Sequence, residues 1–158
     1  MSGLKDAIIL HGSAELVLTD AKGRVKQREY AENKIVTGGL EYITSRMRDA
    51  AATAMGWMAI GTSSTAVATG QTLLVAEVAR VSGTVTFVTG TTTDDTYQMV
   101  STYNPGTPAA LQNITEAGIF NVVTASTPLM LNRLTFTAIP KNTTDTLTIT
   151  WKIALSSP

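Results

Sequence analysis

The chain has no cysteine among its 158 residues and only one histidine, His11. The absence of cysteine excludes disulfide bonds, thiolate nucleophiles and cysteine-ligated metals. A single imidazole builds neither a metal site nor an acid–base pair without clustered carboxylates, and none lie beside it in the sequence. We therefore predict no metal and no cofactor, and an ordinary surface or strand-edge position for His11.

Charge is also scarce, because lysine, arginine, aspartate and glutamate make up only 15% of the residues. The 12 basic and 12 acidic residues cancel, and without a basic excess the chain lacks the usual electrostatic footprint of a nucleic-acid-binding protein. A neutral, weakly charged surface is poorly protected against association. This favours a surface covered by other copies or by a partner; the alternative is a monomer solvated by threonine and serine.

Long hydrophobic runs are missing as well. The apolar run within residues 1–10 is too short for a signal peptide, and no segment of the sequence has the length of a membrane span. We therefore expect synthesis in a cytoplasm and no membrane partner.

The most regular pattern that is present lies near the end of the chain, in residues 145–155. Apolar residues occupy every second position: Leu147, Ile149, Trp151, Ile153 and Leu155. The positions between them are mostly threonine: Thr146, Thr148 and Thr150, followed by Lys152. Because successive side chains of a strand point to opposite faces, this alternation predicts a half-buried antiparallel strand with an apolar inner row and a threonine outer row.

Turn signals separate further segments of strand or helix pattern. Residues 14–19 and 25–29 flank a turn that contains Gly23, which predicts a β-hairpin. One helix is predicted at about residues 38–51, where Leu40, Ile43 and Met47 recur at helical spacing. Residues 72–80 have a mixed pattern. Other predicted strands are residues 57–60, 81–89, 96–103, 112–123, 129–139 and 146–155.

One short helix among roughly seven or eight strands predicts a mostly β fold, an antiparallel β-sandwich or jelly-roll-like domain. We predict that residues 11–158 form this single β-sandwich domain. Residues 1–10 are either an N-terminal arm or the first strand of the sandwich.

No group of residues has the spacing of a catalytic or ligand-binding motif. Asp94 and Asp95 lack the alternating carboxylates of a calcium loop, which favours a solvated hairpin tip. The glycine-bearing loop at residues 61–70 lacks the lysine and the strand-to-helix context of a phosphate-binding loop. No serine or aspartate can be joined with His11 into a specific triad. We therefore predict that the protein is not an enzyme.

Four charged residues stand in apolar surroundings: Glu77, Arg80, Glu116 and Arg133. Glu116 alternates with Ile114, Gly118 and Phe120, which predicts a shared strand face for these residues. An unpaired buried charge is very costly, so a carboxylate on an inward face needs a partner. The four residues therefore predict either an acid–base site or one or two internal Glu–Arg pairs that fix the strand register. The absence of a nucleophile or cofactor motif favours the ion pairs.

Several short segments, taken in order, resemble a recurring pattern in small structural proteins of tailed-bacteriophage virions. They are Asn33-Lys-Ile-Val-Thr-Gly-Gly-Leu40, Met58-Ala-Ile-Gly-Thr62, Thr72-Leu-Leu-Val-Ala-Glu-Val-Ala-Arg80, Thr115-Glu-Ala-Gly-Ile-Phe120, Met130-Leu-Asn-Arg133 and Leu147-Thr-Ile-Thr-Trp-Lys-Ile153. The resemblance extends over residues 14–155. It implies a β-rich module without catalytic activity that assembles on a particle, either as a capsid decoration (cement) protein or as a tail-fibre or baseplate component.

Capsid decoration is the preferred reading of this resemblance. It implies a position on the capsid exterior of the virion, the major capsid protein as partner, and self-association as a homodimer or homotrimer. Two sets of residues are candidate contacts. The first is the apolar N-terminal set Ile8, Ile9 and Leu10, which suits strand addition to a neighbour if it is not simply the first strand. The second is the threonine row Thr146, Thr148 and Thr150, whose alternative is a solvated face.

Two other functions remain open from the sequence. A tail-fibre or baseplate role is the first alternative. The second is a ligand- or carbohydrate-binding β-sandwich, which clustered exposed aromatic residues would indicate. The tyrosines Tyr30, Tyr42, Tyr97 and Tyr103 are scattered and do not form such a cluster.

Overall fold

The computed structural model describes residues 8–48, 53–90, 95–124 and 127–156. In these residues the chain forms two five-stranded antiparallel sheets and one short helix, which confirms the predicted mostly β sandwich. The elements are β1 (Ile9–Thr19), β2 (Val25–Glu32), β3 (Lys34–Ile35), α1 (Thr37–Arg48), β4 (Trp57–Gly61), β5 (Glu77–Ser82), β6 (Thr84–Val88), β7 (Thr96–Tyr103), β8 (Gln112–Phe120), β9 (Met130–Lys141) and β10 (Thr146–Ser156).

The first sheet has the strand order β2-β1-β10-β7-β6, and the second has the order β3-β9-β8-β4-β5. The predicted hairpin is confirmed as β1 and β2, joined by a turn in which Gly23 has a φ of 76°. A positive φ of this size is strained for residues with a Cβ atom, which explains glycine there. The described residues contain more strands than the sequence predicted, because β3 is only two residues long and one predicted strand is divided.

The final strand, β10, lies at the centre of the first sheet between β1 and β7. Its predicted inner row is buried from Leu147 to Ile153, and Thr146, Thr148 and Thr150 are half-buried on the other face. Leu155 departs from the prediction because it is 38% exposed. The alternation places Leu155 on the inner face, but at this end of the sandwich the inner face borders an open cavity and is not covered by the second sheet.

The inner faces of the two sheets enclose one apolar core. Its fully buried side chains include Leu16 and Trp151 from the first sheet and Ile60 and Leu134 from the second. Tyr103 crosses between the sheets, where its hydroxyl donates to the carbonyl of Met58 at 2.7 Å. Burial raises the pKa of Tyr103, so its hydroxyl stays protonated and remains a donor.

The helix α1 begins one residue before its predicted start, and residues 49–51 of the prediction lie outside the described residues. Tyr42 and Ile43 pack against the core, whereas Leu40 and Met47 are exposed. The predicted spacing therefore identified the helix but not its buried side. Gly39 is buried against β9, and glycine is needed there because a Cβ atom would collide with the Leu131 carbonyl oxygen.

The strand predicted at residues 81–89 is wrong as a single element. The chain instead forms β5 in the second sheet, turns at Gly83 and continues as β6 in the first sheet. The mixed pattern of residues 72–80 ends in β5, which is the edge strand beside β4. The turn between the two strands needs glycine, because a Cβ atom at position 83 would press against the side chains of Met99 and Ser101.

The predicted face shared by Ile114 and Glu116 is also wrong. The pairing of β8 with β9 shifts register between these residues, at a β-bulge. A bulge adds residues on one strand and so changes the face to which the following side chains point. Ile114 therefore packs in the core between the sheets, whereas Phe120 belongs to a second, smaller apolar cluster on the other side of the second sheet.

Candidate functional site

The outer face of the first sheet has a flat part with little charge, which we call the threonine face: Val100, Thr102, Thr146, Thr148 and Thr150. These residues lie on the adjacent central strands β7 and β10, where Thr148 pairs with Thr102 and Thr150 pairs with Val100. The hydroxyl oxygens of Thr102 and Thr148 are 3.5 Å apart. Hydroxyl and methyl groups alternate over this face, so it offers weak hydrogen bonds and apolar contacts together.

Charged residues on the same outer face lie on β1 and β2 and at Lys152 of β10. The Arg28 guanidinium forms an ion pair with Glu15, and the Tyr30 hydroxyl donates to the same carboxylate at 2.9 Å. Glu15, Tyr30 and Lys152 line a shallow depression of about 480 Å³. The threonine face itself carries no charged side chain, but it is bordered by Lys152, which follows Thr150 on the outer row of β10, and by Glu15, which pairs with Thr150.

The N-terminal candidate contacts divide at the start of β1. Ile9 and Leu10 pair with Ser156 and Leu155 of β10, so the structure has them as part of the first strand. Ile8 precedes the strand and is 70% exposed, and Ile9 is 48% exposed. Residues 1–7, which include most of the predicted arm, lie outside the described residues.

Glu116 and Arg133 form an ion pair in which both side chains are completely buried. The Arg133 Nη2 atom is 2.8 Å from Glu116 Oε2, and the Nε atom donates to the same oxygen at 2.9 Å. The pair lies on the outer side of the second sheet, under a segment without helix or strand, residues 62–76, which we call the covering loop.

The covering loop is attached to the sheet through this ion pair. Glu116 accepts backbone N–H groups from Ala76 at 2.7 Å and Val75 at 3.1 Å. The Arg133 Nη1 atom donates to the carbonyl of Thr65 at 2.9 Å and to the Gln71 side chain at 3.1 Å. The ion pair thus makes four hydrogen bonds to the covering loop, and the Ala76 and Gln71 partners are partly buried. This arrangement holds a loop in place, and both charged side chains are completely shielded from solvent.

Glu77 and Arg80 form a second ion pair, on the edge strand β5, with an N–O distance of 2.7 Å. The Arg80 guanidinium also lies over the ring of Phe120, 3.8 Å from its centre, and donates to the Val122 carbonyl at 2.8 Å. Arg80 is nearly buried by these contacts, whereas Glu77 is partly exposed. The structure thus brings the four predicted charged residues together as two separate Glu–Arg pairs.

Sequence reasoning missed a third buried charged group, which lies at the turn between β9 and β10. Lys141 is completely buried and donates to the Asp145 carbonyl at 2.7 Å, and burial lowers its pKa. Burial alone would raise the pKa of Asp145, but hydrogen bonds from Lys26 and Asn142 outweigh it and hold that pKa below its usual value. A signal existed, because Lys141 follows Ile139 by two residues and so falls on the buried row of β9.

An open apolar cavity lies at the end of the sandwich where β10 finishes. Its volume is about 420 Å³. The side chains around it come from both sheets and from α1, and they include Leu10, Tyr42, Phe87, Tyr97 and Leu155. Phe87 is 66% exposed although it lies on the inner face of the first sheet. This cavity could not be predicted from strand patterns, because its lining residues come from both sheets and from α1 and are distant in the sequence.

Chemically reactive groups are sparse in the described part of the chain. Within it no three histidine, cysteine, aspartate or glutamate side chains cluster closely enough to hold a metal ion. His11 is exposed on β1 opposite Ala154. Asp95 accepts the backbone N–H of Gly90 at 2.7 Å, while Asp94 lies outside the described residues. No helix in the described residues is long and apolar enough to cross a membrane.

Comparison with known proteins adds nothing to these observations. No protein-family model, no curated protein and no solved structure matches this chain.

Proposed function

We propose that the chain is a non-catalytic structural protein of a tailed-bacteriophage virion. Its role in this proposal is capsid decoration: it binds the outside of the shell and stabilises it by bridging major capsid subunits. The threonine face is the observation that supports this role best. It consists of uncharged side chains on the adjacent strands β7 and β10, whose inner faces pack in the core.

A surface of this composition suits attachment to a repeated shell. Threonine hydroxyls and methyls lose little hydration when covered, because no full charge has to leave water. A single contact of this kind is weak. Many copies that bind a lattice and touch one another gain strength through effective concentration, so modest contacts per copy are sufficient.

The test is binding of purified variants to particles that lack the protein. We expect Thr148→Glu combined with Thr150→Glu to abolish binding, because both carboxylates would be desolvated against the shell. Thr137→Glu is the matched control, since Thr137 is an exposed threonine on β9 of the second sheet. Shell binding of the double variant at the wild-type level would refute the threonine face as the contact.

Imaging of the assembled particle distinguishes decoration from the tail-fibre or baseplate alternative. Decoration requires density for the protein on the icosahedral lattice of the capsid exterior. Density confined to the tail or to a single vertex would replace the decoration proposal with the alternative.

A carbohydrate-binding role has one observation in its favour. Tyr30 is 69% exposed beside the shallow depression on β1 and β2. Its hydroxyl is already bonded to Glu15, and Phe87, another strongly exposed aromatic ring, lies on the opposite edge strand of the same sheet. One aromatic platform is a weak basis for sugar binding, so this function ranks below virion assembly.

A further inference from the structure

The strand β6 forms one edge of the first sheet. It consists of Thr84-Val85-Thr86-Phe87-Val88 and pairs with β7 along one side only. Its other side therefore presents backbone N–H and C=O groups to which no described strand is paired. Such an edge is a template for another strand, and natural proteins usually block it with charge, proline or a bulge.

The other edge strands of the two sheets carry such charges. The opposite edge of the same sheet, β2, contains Lys26, Arg28, Glu29 and Glu32. In the second sheet β5 contains Glu77 and Arg80, and the two-residue β3 contains Lys34. In contrast, β6 has no charge and no proline, and its pairing with β7 is regular along its length. It is the one edge strand in the described residues that lacks these protections.

The side chains of β6 are also exposed in an unusual way. Val85 and Phe87 point to the inner face of the sheet, since they pair with the inward-facing Met99 and Tyr97. Nevertheless Val85 is 38% and Phe87 is 66% exposed, at the rim of the open apolar cavity. An exposed apolar rim beside an unpaired strand edge is characteristic of a protein–protein contact.

We propose that β6 pairs in antiparallel fashion with β6 of a second copy, around a two-fold axis through Thr86. Directly opposed residues of an antiparallel pair point to the same face, so the axis has to pass midway between the two copies of one residue, here Thr86. An axis at Thr86 pairs all five residues of β6, whereas an axis at Val85 or Phe87 pairs fewer. With the axis at Thr86, Val85 lies opposite the partner's Phe87, and the reverse holds by symmetry.

The sequence of β6 is compatible with its own copy, because self-pairing at this register places Val85 against Phe87 and Thr84 against Val88. No pair of like charges is formed, because neither strand carries any charge. The axis is perpendicular to the sheet, so both inner faces remain on the same side. The two apolar cavities then open toward each other across the paired strands, and both Phe87 rings lose water contact. This pairing is a property of the chain in solution and does not depend on the proposed function.

The position of Thr86 on the axis gives a specific test, because each Thr86 faces its own copy. Thr86→Lys and Thr86→Glu each place like charges directly opposite one another and raise the dimer dissociation constant by roughly two- to fivefold. A mixture of the two variants places opposite charges together and restores the dimer. Val25→Lys, at an exposed position on the other edge strand β2, is the matched control and leaves the dimer intact. The measurement is mass in solution over a concentration series.

A second variant uses the absence of cysteine from the chain. Directly opposed Cβ atoms in an antiparallel pair are about 4.5–5.5 Å apart, close to the distance that a disulfide spans. We expect Thr86→Cys to form a covalent dimer under mild oxidation and Val25→Cys to form none, when both are analysed under denaturing, non-reducing conditions. A wild-type protein that stays monomeric at high concentration overturns the proposal. A Thr86→Lys dimer as tight as wild type, or a mixture that fails to reassociate, does the same.

Discussion

Arg133→Ala removes the cation from an ion pair that is completely buried beneath the covering loop. Breaking such a pair on one side costs about 3–5 kcal/mol, because the remaining charge is left without its partner. Glu116 would keep its backbone donors at Ala76 and Val75. Those hydrogen bonds partly stabilise the remaining carboxylate, so we expect the lower end of that range, about 3 kcal/mol.

The assay is denaturant unfolding, supported by thermal melting. For a chain of this size a loss of about 3 kcal/mol lowers Tm by roughly 6–12 °C. Amide hydrogen exchange gives a local measure, because we expect faster exchange in the covering loop than in the core strands. Arg24→Ala is a matched control, since Arg24 forms an exposed pair with Asp20 in the first hairpin and its loss should leave stability near the wild-type value.

The refuting result is an Arg133→Ala protein with the denaturation midpoint and slope of the wild type. That outcome would mean that water or a rearranged loop replaces the guanidinium without cost. Faster exchange of the covering loop with unchanged global stability would instead show that the pair holds the loop but contributes nothing to the core. It would refute the predicted loss of global stability.

Two further predictions concern other sites. The pKa of Asp145 is lowered in the folded state, so its stabilising contribution is present above its unfolded value of 3.8 and is lost as pH falls through the folded pKa. Asp145→Asn should remove this part of the acid dependence in urea unfolding at stepped pH; an unchanged profile would contradict it. Gly39→Ala should destabilise the fold because its methyl meets the Leu131 carbonyl, while Gly38→Ala, which has space, should gain up to about 1 kcal/mol from helix propensity. Thermal melting compares the two, and equal effects would contradict the steric explanation.

The local sequence pattern was sufficient to predict a strand where one of its faces meets the core and the other meets solvent. The hairpin of β1 and β2 and the alternation in β10 follow directly from the pleat and from a turn glycine. The same reasoning failed at residues 81–89 and at Ile114. Where the chain crosses between sheets, or where a bulge occurs, the face to which a side chain points changes. The alternation of residue types in the sequence does not reveal this change.

The candidate surfaces divide in the same way. Thr146, Thr148 and Thr150 could be assigned to an outer row from their spacing alone, and the structure places them there. The cavity and the exposure of Phe87 could not be predicted, because they depend on how far the second sheet covers the first. Nor could spacing indicate that the turn between β9 and β10 brings the Lys141 ammonium to the Asp145 carbonyl.

The sequence by itself determined that this is a β protein of low charge without cysteine chemistry, with one regular strand of apolar and threonine rows. These properties reside in composition and in the two-residue period of a strand, which need no knowledge of distant residues. Only the tertiary structure decided that Glu116 and Arg133 are buried outside the main core, under a loop, and that β6 is left as an uncharged edge. The physical reason is that burial depends on which residues cover a side chain, and strand pairing depends on which strand lies beside it. In both cases those residues are far away in the chain.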